Sequence, residues 1–134
     1  MKPTQPARFD PAELLDVETV EQIRRVPAES EGLFVRRLND EKLAAIAAQA
    51  PCLRHLIADG STDVTNTGLS ALTAFTRLEC LDLEWSRVTD HGLDSIASVS
   101  SLRWVDLGFC PGVSSQGVAE LRRLRPDLEI VDTH

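Results

Sequence analysis

Apolar residues recur along the chain in a unit of about 25 residues, and the spacing changes halfway through each unit. The unit opens on Leu-x-x-Leu-x-Leu, an alternation typical of a short strand with one buried face. After a bend, a glycine is followed by apolar residues one and four positions later, which is helical spacing. Full copies begin at Leu53, Leu78 and Leu102, and a shortened copy begins at Leu128. The pattern predicts strand–helix units stacked side by side.

The unit Leu-x-x-Leu-x-Leu, followed by Val-Thr-Asp-x-Gly-Leu, resembles a leucine-rich repeat. The match is best at residues 107–113, where Cys110 stands at the cysteine position of the subclass found in F-box substrate receptors, a class related to ribonuclease inhibitors. Ser61 and Ser86 stand there in the other copies. The resemblance spans roughly residues 33–132 and implies an α/β fold, a short right-handed solenoid with a concave parallel sheet and convex helices. It implies no particular activity, because repeat residues specify the solenoid.

The chain divides into three predicted parts. Residues 1–9 are expected to be flexible. Residues 10–27 are expected to form one helix that caps the first repeat, because Asp10 and Pro11 suit a helix start and apolar residues follow at helical spacing. The repeat domain, 28–134, comprises a degenerate repeat at 28–52, repeats at 53–77, 78–101 and 102–127, and a terminal strand at 128–132.

Three features of the repeats carry further predictions. A hydroxyl residue before each helical run predicts an N-cap, at Thr65, Thr89 and Ser114. The glycine costs about 1 kcal/mol inside a helix, so its recurrence predicts a close approach of neighbouring backbones, at Gly68, Gly92 and Gly117. Three arginines of the last full repeat are expected on the solvated convex surface, or against an acidic partner: Arg122, Arg123 and Arg125.

The positions between the buried leucines predict the binding surface. Aspartates at the middle outward position would form an acidic ladder across neighbouring strands, beside a patch of aromatic side chains. The candidate protein-binding residues are Asp59, Asp82, Glu84, Trp85, Trp104, Asp106, Phe109 and Asp132. Trp is enriched at interface hot spots. Two alternatives stay open: aspartate is common at this position of the repeat type, and the aromatic rings could pack on one another.

Composition narrows the class of protein. The 134 residues carry 14 Lys+Arg against 21 Asp+Glu, a net charge of −7, which disfavours binding to nucleic acid. The chain contains no apolar run of about 18 residues and no secretory signal, so we expect no membrane span and a cytoplasmic protein. Three widely spaced cysteines do not indicate disulfides, and Cys110 is expected to be buried and reduced.

Catalytic chemistry has little support in the sequence. Ser86, Asp90 and His91 fall at one bend, where Asp90 suits a helix cap. A metal site at His55, Cys80 and Asp82 lacks ligand spacing. The glycines are explained by the repeat and do not form a phosphate loop. We therefore predict no enzyme, no cofactor and no metal.

The sequence predicts a non-catalytic protein–protein interaction module, an adaptor or scaffold whose concave acidic and aromatic face binds a protein partner with a basic or mixed surface. One alternative is an assembly subunit of a larger complex, or a homo-oligomer, that docks through the C-terminal strand. That strand has no cap after it and is expected to leave an exposed sheet edge. Another alternative is a small enzyme inhibitor. The N-terminal region predicts too few helices for an F-box, so a ligase-adaptor role does not carry over.

Overall fold

The computed structural model of the chain describes residues 14–132, and their strands form one parallel sheet. The six strands are β1 (Leu15–Val17), β2 (Gly32–Val35), β3 (His55–Ala58), β4 (Cys80–Asp82), β5 (Trp104–Asp106) and β6 (Glu129–Val131). They lie in chain order, and each pairs in parallel with the next. The predicted α/β class with a parallel sheet is confirmed.

A helical segment connects each pair of neighbouring strands, as parallel pairing requires. The α-helices are α1 (Val20–Arg24), α2 (Asp40–Gln49), α3 (Leu93–Ala97) and α4 (Ser115–Leu124). A 3-10 segment at Gly68–Ala74 takes the place of a helix between β3 and β4, and a shorter one at Asp90–Gly92 leads into α3. Within residues 14–132, no helix has both the length and the apolar composition needed to cross a membrane.

The single N-terminal helix predicted over residues 10–27 is wrong where the structure describes it. Leu15–Val17 is a strand paired with β2, and α1 begins only at Val20. Thr19 starts that helix with a capping box, in which it exchanges hydrogen bonds with Gln22. The apolar residues of this segment fit the spacing of a strand as well as that of a helix, and pairing with β2 selects the strand. The predicted flexible stretch at 1–9 and the helix start at Asp10 and Pro11 lie outside the described residues.

The two faces of the sheet carry separate apolar clusters. On one face, a register-matched row packs with the helices in the main core: Leu33, Leu56, Leu81, Val105 and Ile130. On the opposite face, which we call the second sheet face, a smaller cluster contains Ile57, Cys80, Trp104 and Val131, with Leu14 and Phe34 packed against it. Asp82 and Asp106 lie side by side in register between Ile57 and Val131 on this face.

The predicted register of the last strand is wrong by one residue. Val131, not Asp132, pairs with Asp106, and Ile130 pairs with Val105 in the main core. A shift of one residue exchanges the two faces of a strand, so burial of Ile130 fixes the register. Asp132 lies beyond the strand, where it forms an ion pair with Arg122 at 3.5 Å.

The recurring glycines face a side chain of the preceding repeat. A Cβ on Gly117 would collide with the carboxylate of Asp90, and the same holds for Gly68 against Asp40. At Gly92 the obstacle is the side chain of Asn66. The neighbouring repeat therefore approaches closely at all three glycines, but the nearest obstacle is a side chain and not the predicted backbone; at Gly68 the Cα of Asp40 also lies close to the Cβ position, at 3.2 Å.

The same three side chains form hydrogen bonds with the hydroxyl residues that precede the helical segment of the next repeat. Both oxygens of Asp90 accept hydrogen bonds from Ser114, from the backbone N–H at 2.9 Å and the hydroxyl at 2.6 Å. Ser114 also caps α4 as predicted, by accepting from the N–H of Gly117. Thr89 makes no N-cap bond, contrary to the prediction, and its hydroxyl instead accepts from the side chain of Asn66.

Arg125 does not lie on a solvated surface as predicted. Its side chain is 11% exposed, and it donates hydrogen bonds to backbone carbonyls where the preceding repeat turns from α3 to β5. The guanidinium carries five donors, which suits it to join two repeats in this way. Arg123, two positions earlier, is exposed and pairs with Glu120 within α4.

Candidate protein-binding site

Residues with a positive φ recur in the turns that follow the strands. Arg37, Trp85 and Phe109 have φ values of 55°, 70° and 56°, and Gly60 has 142°. Each lies two residues after the last core residue of its strand; Arg37, Trp85 and Phe109 share the left-handed conformation there, whereas Gly60 has a larger φ that also favours glycine. Glycine adopts it freely, whereas other residues incur about 1–2 kcal/mol.

Trp85 and Phe109 stack on each other in adjacent turns. Their ring centroids lie 4.5 Å apart with an interplanar angle of 11°, and the N–H of Trp85 donates to the carbonyl of Gly108 at 2.9 Å. The two residues are 49% and 38% exposed. We call this pair the aromatic platform. Neither ring belongs to an apolar cluster of the interior.

The aromatic platform borders an open groove of about 500 Å³. The groove is lined by the two rings together with Thr62, Ser86, Arg87 and Pro111. Thr62, Arg87 and Pro111 were not predicted as site residues. Their signal in the sequence is position alone: Arg87 and Pro111 lie in the strand-to-helix turns that carry the platform, and Thr62 lies in the equivalent turn after β3.

Buried polar contacts fix the turns that carry the platform. The hydroxyl of Ser86 lies 3.3 Å from the sulfur of Cys110, and the thiol of Cys110 donates to the carbonyl of Leu83 at 3.2 Å. Cys110 is a free cysteine with no exposure, as predicted, and burial raises the pKa of its thiol. The cysteine position of the repeat thus ties one turn to the next.

The two central aspartates start these turns and do not form an exposed acidic strip. One carboxylate oxygen of Asp82 accepts the N–H of Glu84 at 3.1 Å, and Asp106 accepts that of Gly108 at 2.8 Å. Such a bond from Asp to the amide two residues later is typical of a turn. Both aspartates are buried, with 3% and 0% exposure. The prediction that they line an accessible surface is wrong.

The other predicted site residues separate into different places. Trp104 is fully buried in the cluster of the second sheet face, away from the aromatic platform. Asp59 is exposed and accepts the backbone N–H of Arg37 at 3.0 Å. Glu84 is half-buried and precedes Trp85 in the chain, whereas Asp132 pairs with Arg122 at the far edge of the sheet. Of the eight, Trp85 and Phe109 meet in the aromatic platform, with Glu84 next to Trp85 in the chain, and Asp82 and Asp106 lie side by side on the second sheet face.

The residues considered for catalysis are engaged in structural contacts. Ser86 is fully buried, and the carboxylate of Asp90 is hydrogen-bonded to Ser114, which holds its pKa below the usual range. Among residues 14–132, no three or more His, Cys, Asp or Glu side chains are grouped so that they could hold a metal ion. No protein-family model matches the chain.

Proposed function

We propose that this chain is a non-catalytic, cytoplasmic protein-interaction module with leucine-rich-repeat architecture, and that it binds its partner through the aromatic platform. The observation that carries this proposal is the presence of two exposed, stacked aromatic rings at turn positions where the backbone favours glycine. The order of the strands and the side-chain ladders between successive repeats support the architecture.

The backbone strain at the two ring-bearing residues exceeds what the stacking of the rings returns. Each of the two residues adopts a left-handed backbone conformation that costs about 1–2 kcal/mol, while stacking of their rings stabilises the pair by about 0.5–1.5 kcal/mol. Gly60 fills the corresponding turn after β3 without that cost. Strained residues cluster at functional sites, and exposed tryptophan is typical of interface hot spots. Contact with a partner would offset the part of the conformational cost that stacking in the free protein does not.

The surroundings indicate the chemistry of the partner. Pro111 and the two rings form an apolar surface, and Arg87, which carries a positive charge, also lines the groove. Glu84 flanks Trp85 with the opposite charge. An extended protein segment that carries both charges fits this groove, with a proline or aliphatic side chain packed on the two rings. Aromatic grooves recognise polyproline segments in this way.

The platform can be tested by returning its two positions to the glycine that the turn prefers. Tagged wild-type, Trp85→Gly and Phe109→Gly proteins would be used to capture partners from the host lysate, with quantification by mass spectrometry. Leu124→Ala is the matched control, because Leu124 is 44% exposed on α4. We expect both glycine variants to lose the proteins that wild type and Leu124→Ala retain. Equal capture by all four would refute the platform.

Docking through the C-terminal strand, the alternative, is less well supported. The guanidinium of Arg122 donates to the carbonyl of Ile130 at 3.4 Å and pairs with Asp132, so a side chain of α4 already reaches the backbone of β6. A charged side chain over a strand is one way in which edges are protected from pairing. We expect light scattering to give the molar mass of a monomer at every protein concentration. A dimer that Arg122→Ala makes more stable would favour the alternative.

A further inference from the structure

The two rings of the aromatic platform belong to a row that runs across the sheet, with one residue from each of four successive strand-to-helix turns. Extension of the strand register aligns these residues in the order Arg37, Gly60, Trp85 and Phe109. Neighbouring strands lie about 4.8 Å apart, close to the 4.5 Å between the ring centroids, so the rings stack along the row. Phe109 therefore covers one face of the Trp85 indole, and the other face is directed toward the turn after β3.

The next position of the row, Gly60, leaves an open space beside that free face. Among the described residues, apart from its chain neighbours, no atom lies within 4 Å of the place where a Cβ on Gly60 would be. The strand spacing puts the backbones of Arg37 and Trp85, on either side of Gly60, about 10 Å apart. We call the space between them the Gly60 notch. It has room for one ring packed against the indole.

The Gly60 notch adjoins the groove described above, and the groove presents hydrogen-bond donors. Thr62, two residues after Gly60, lines the groove together with Trp85 and Arg87, and all three are exposed. In the part of the chain that the structure describes, the hydroxyl of Thr62, the guanidinium of Arg87 and the indole N–H of Trp85 make no hydrogen bond or ion pair. These donors are therefore available to an occupant of the groove.

Available donors favour an occupant that offers acceptors and brings few donors of its own. Ordinary residues carry one N–H for each carbonyl, and a guanidinium or an indole cannot accept a hydrogen bond from it. Proline has a carbonyl and no N–H. A proline-rich segment in the polyproline II conformation also makes no internal hydrogen bonds, so its carbonyls are free to accept. Such segments dock on grooves lined by aromatic rings.

On the basis of the proposed function, on which this step rests, we infer that the partner segment is proline-rich and that one proline ring occupies the Gly60 notch. The ring packs on the free face of Trp85 and extends the stack by one position beyond Phe109 and Trp85. Arg87, Thr62 and the indole N–H donate to carbonyls of the segment on either side of that proline. The notch thus selects the ring, and the donors select a backbone without N–H groups.

The first test measures the affinity of a defined ligand for the full chain. The probe is a fluorescein-labelled oligoproline of about ten residues with an amidated C-terminus, which spans about 30 Å as polyproline II. A labelled Gly-Ser peptide of the same length is the control ligand, and binding is followed by fluorescence anisotropy. We expect saturable binding of oligoproline and several-fold weaker binding of the Gly-Ser peptide. Absence of saturable binding, or equal affinity for both peptides, would overturn the inference.

Thr62→Arg tests the Gly60 notch. A long side chain there narrows the notch while leaving Gly60 unchanged, whose φ of 142° would strain any other residue. Thr76→Arg is the matched control, because Thr76 is an exposed threonine that precedes β4 and so lies at the opposite edge of the sheet. We expect Thr62→Arg to weaken oligoproline binding several-fold and Thr76→Arg to leave it unchanged. Equal affinities of the two variants would show that no proline occupies the notch.

Two further variants test the donors. Arg87→Met keeps an unbranched side chain and removes the guanidinium, and Trp85→Phe keeps a ring in the stack and removes the indole N–H. We expect Arg87→Met to weaken oligoproline binding about ten-fold, as for loss of a hydrogen bond from a charged donor. Trp85→Phe should weaken it several-fold, and Leu124→Ala, on α4, should not change it. Wild-type affinity in both donor variants would refute the choice of proline.

The results also separate the choice of ligand from the proposed function. If Trp85→Gly loses its captured proteins and oligoproline does not bind the wild type, the platform remains the binding site and the proline ligand is wrong. If neither protein capture nor oligoproline binding depends on Trp85, both proposals fail. A Gly-Ser peptide with one central phenylalanine is the last probe. Tighter binding of that peptide than of oligoproline would place an aromatic side chain in the notch and overturn the inference.

Discussion

Gly117→Ala is expected to destabilise the native chain and to stabilise a chain that lacks the Asp90 carboxylate. Gly117 lies in the first turn of α4, and a Cβ there would collide with that carboxylate. Asp90 would have to move away and give up its hydrogen bonds to the N–H of Ser114 at 2.9 Å and to its hydroxyl at 2.6 Å.

The expected magnitude is a difference between two effects of similar size. Alanine in place of glycine favours a helix by about 0.5–1 kcal/mol. The two bonds to a charged acceptor are together worth about 1–2 kcal/mol here, a value reduced because Asp90 is exposed to solvent. Gly117→Ala alone should therefore lower the free energy of unfolding by about 0.5–1 kcal/mol. In an Asp90→Ala background the collision is absent, so the same change should raise it by about 0.5–1 kcal/mol.

The assay is a double-mutant cycle by urea denaturation at pH 7, followed by circular dichroism. The four proteins are the parent, Gly117→Ala, Asp90→Ala and the double variant, and the coupling free energy is expected near 1–2 kcal/mol. The equivalent cycle at Gly68 and Asp40 is a control in a different repeat, where the same collision is present. Additivity within about 0.5 kcal/mol at both pairs would refute the argument.

Three further outcomes follow from single side chains. Hydrogen bonds from Ser114 lower the pKa of Asp90 from 3.8, so its contribution to stability is present above that pH and disappears as the pH falls through the lower native value. Asp90→Asn should therefore flatten the acid limb of a plot of urea midpoint against pH. Arg125→Ala should cost about 2–4 kcal/mol in urea denaturation, because it removes three hydrogen bonds from a charged donor to carbonyls of the preceding repeat, whereas Arg123→Ala on the same helix should change little. Cys110 should resist thiol reagents at pH 8 until urea unfolds the chain, because burial raises its pKa.

Repeat periodicity predicts the centre of this fold well. The alternation in β3 to β5 places Leu56, Leu81 and Val105 in the core, where the structure has them. It also places Asp82 and Asp106 on the opposite face. Alternation cannot show whether that face is covered, because it reports only the side of the sheet on which a residue lies. The predicted acidic surface is wrong for that reason.

The ends of the sheet are less predictable because less sequence constrains them. Residues 128–132 contain apolar side chains at three of five positions, so two registers both bury a good set. Pairing with β5 chooses the one that buries Ile130 in the main core. At the other end, Leu15 and Val17 fit a strand as well as a helix. Pairing with β2 is a contact distant in sequence, which local spacing does not contain.

Equivalent positions in successive repeats distinguish side chains that the repeat structure needs from side chains that it does not need. Asp82 and Asp106 occupy equivalent positions and make the same hydrogen bond to the amide two residues later, so the repeat accounts for them. Trp85 and Phe109 are also equivalent, but the turn after β3 has Gly60 at that position and forms without a ring. The repeat therefore does not account for the two rings, and the proposed binding role offers a reason for them. The platform is therefore where loss of binding should come without loss of folding.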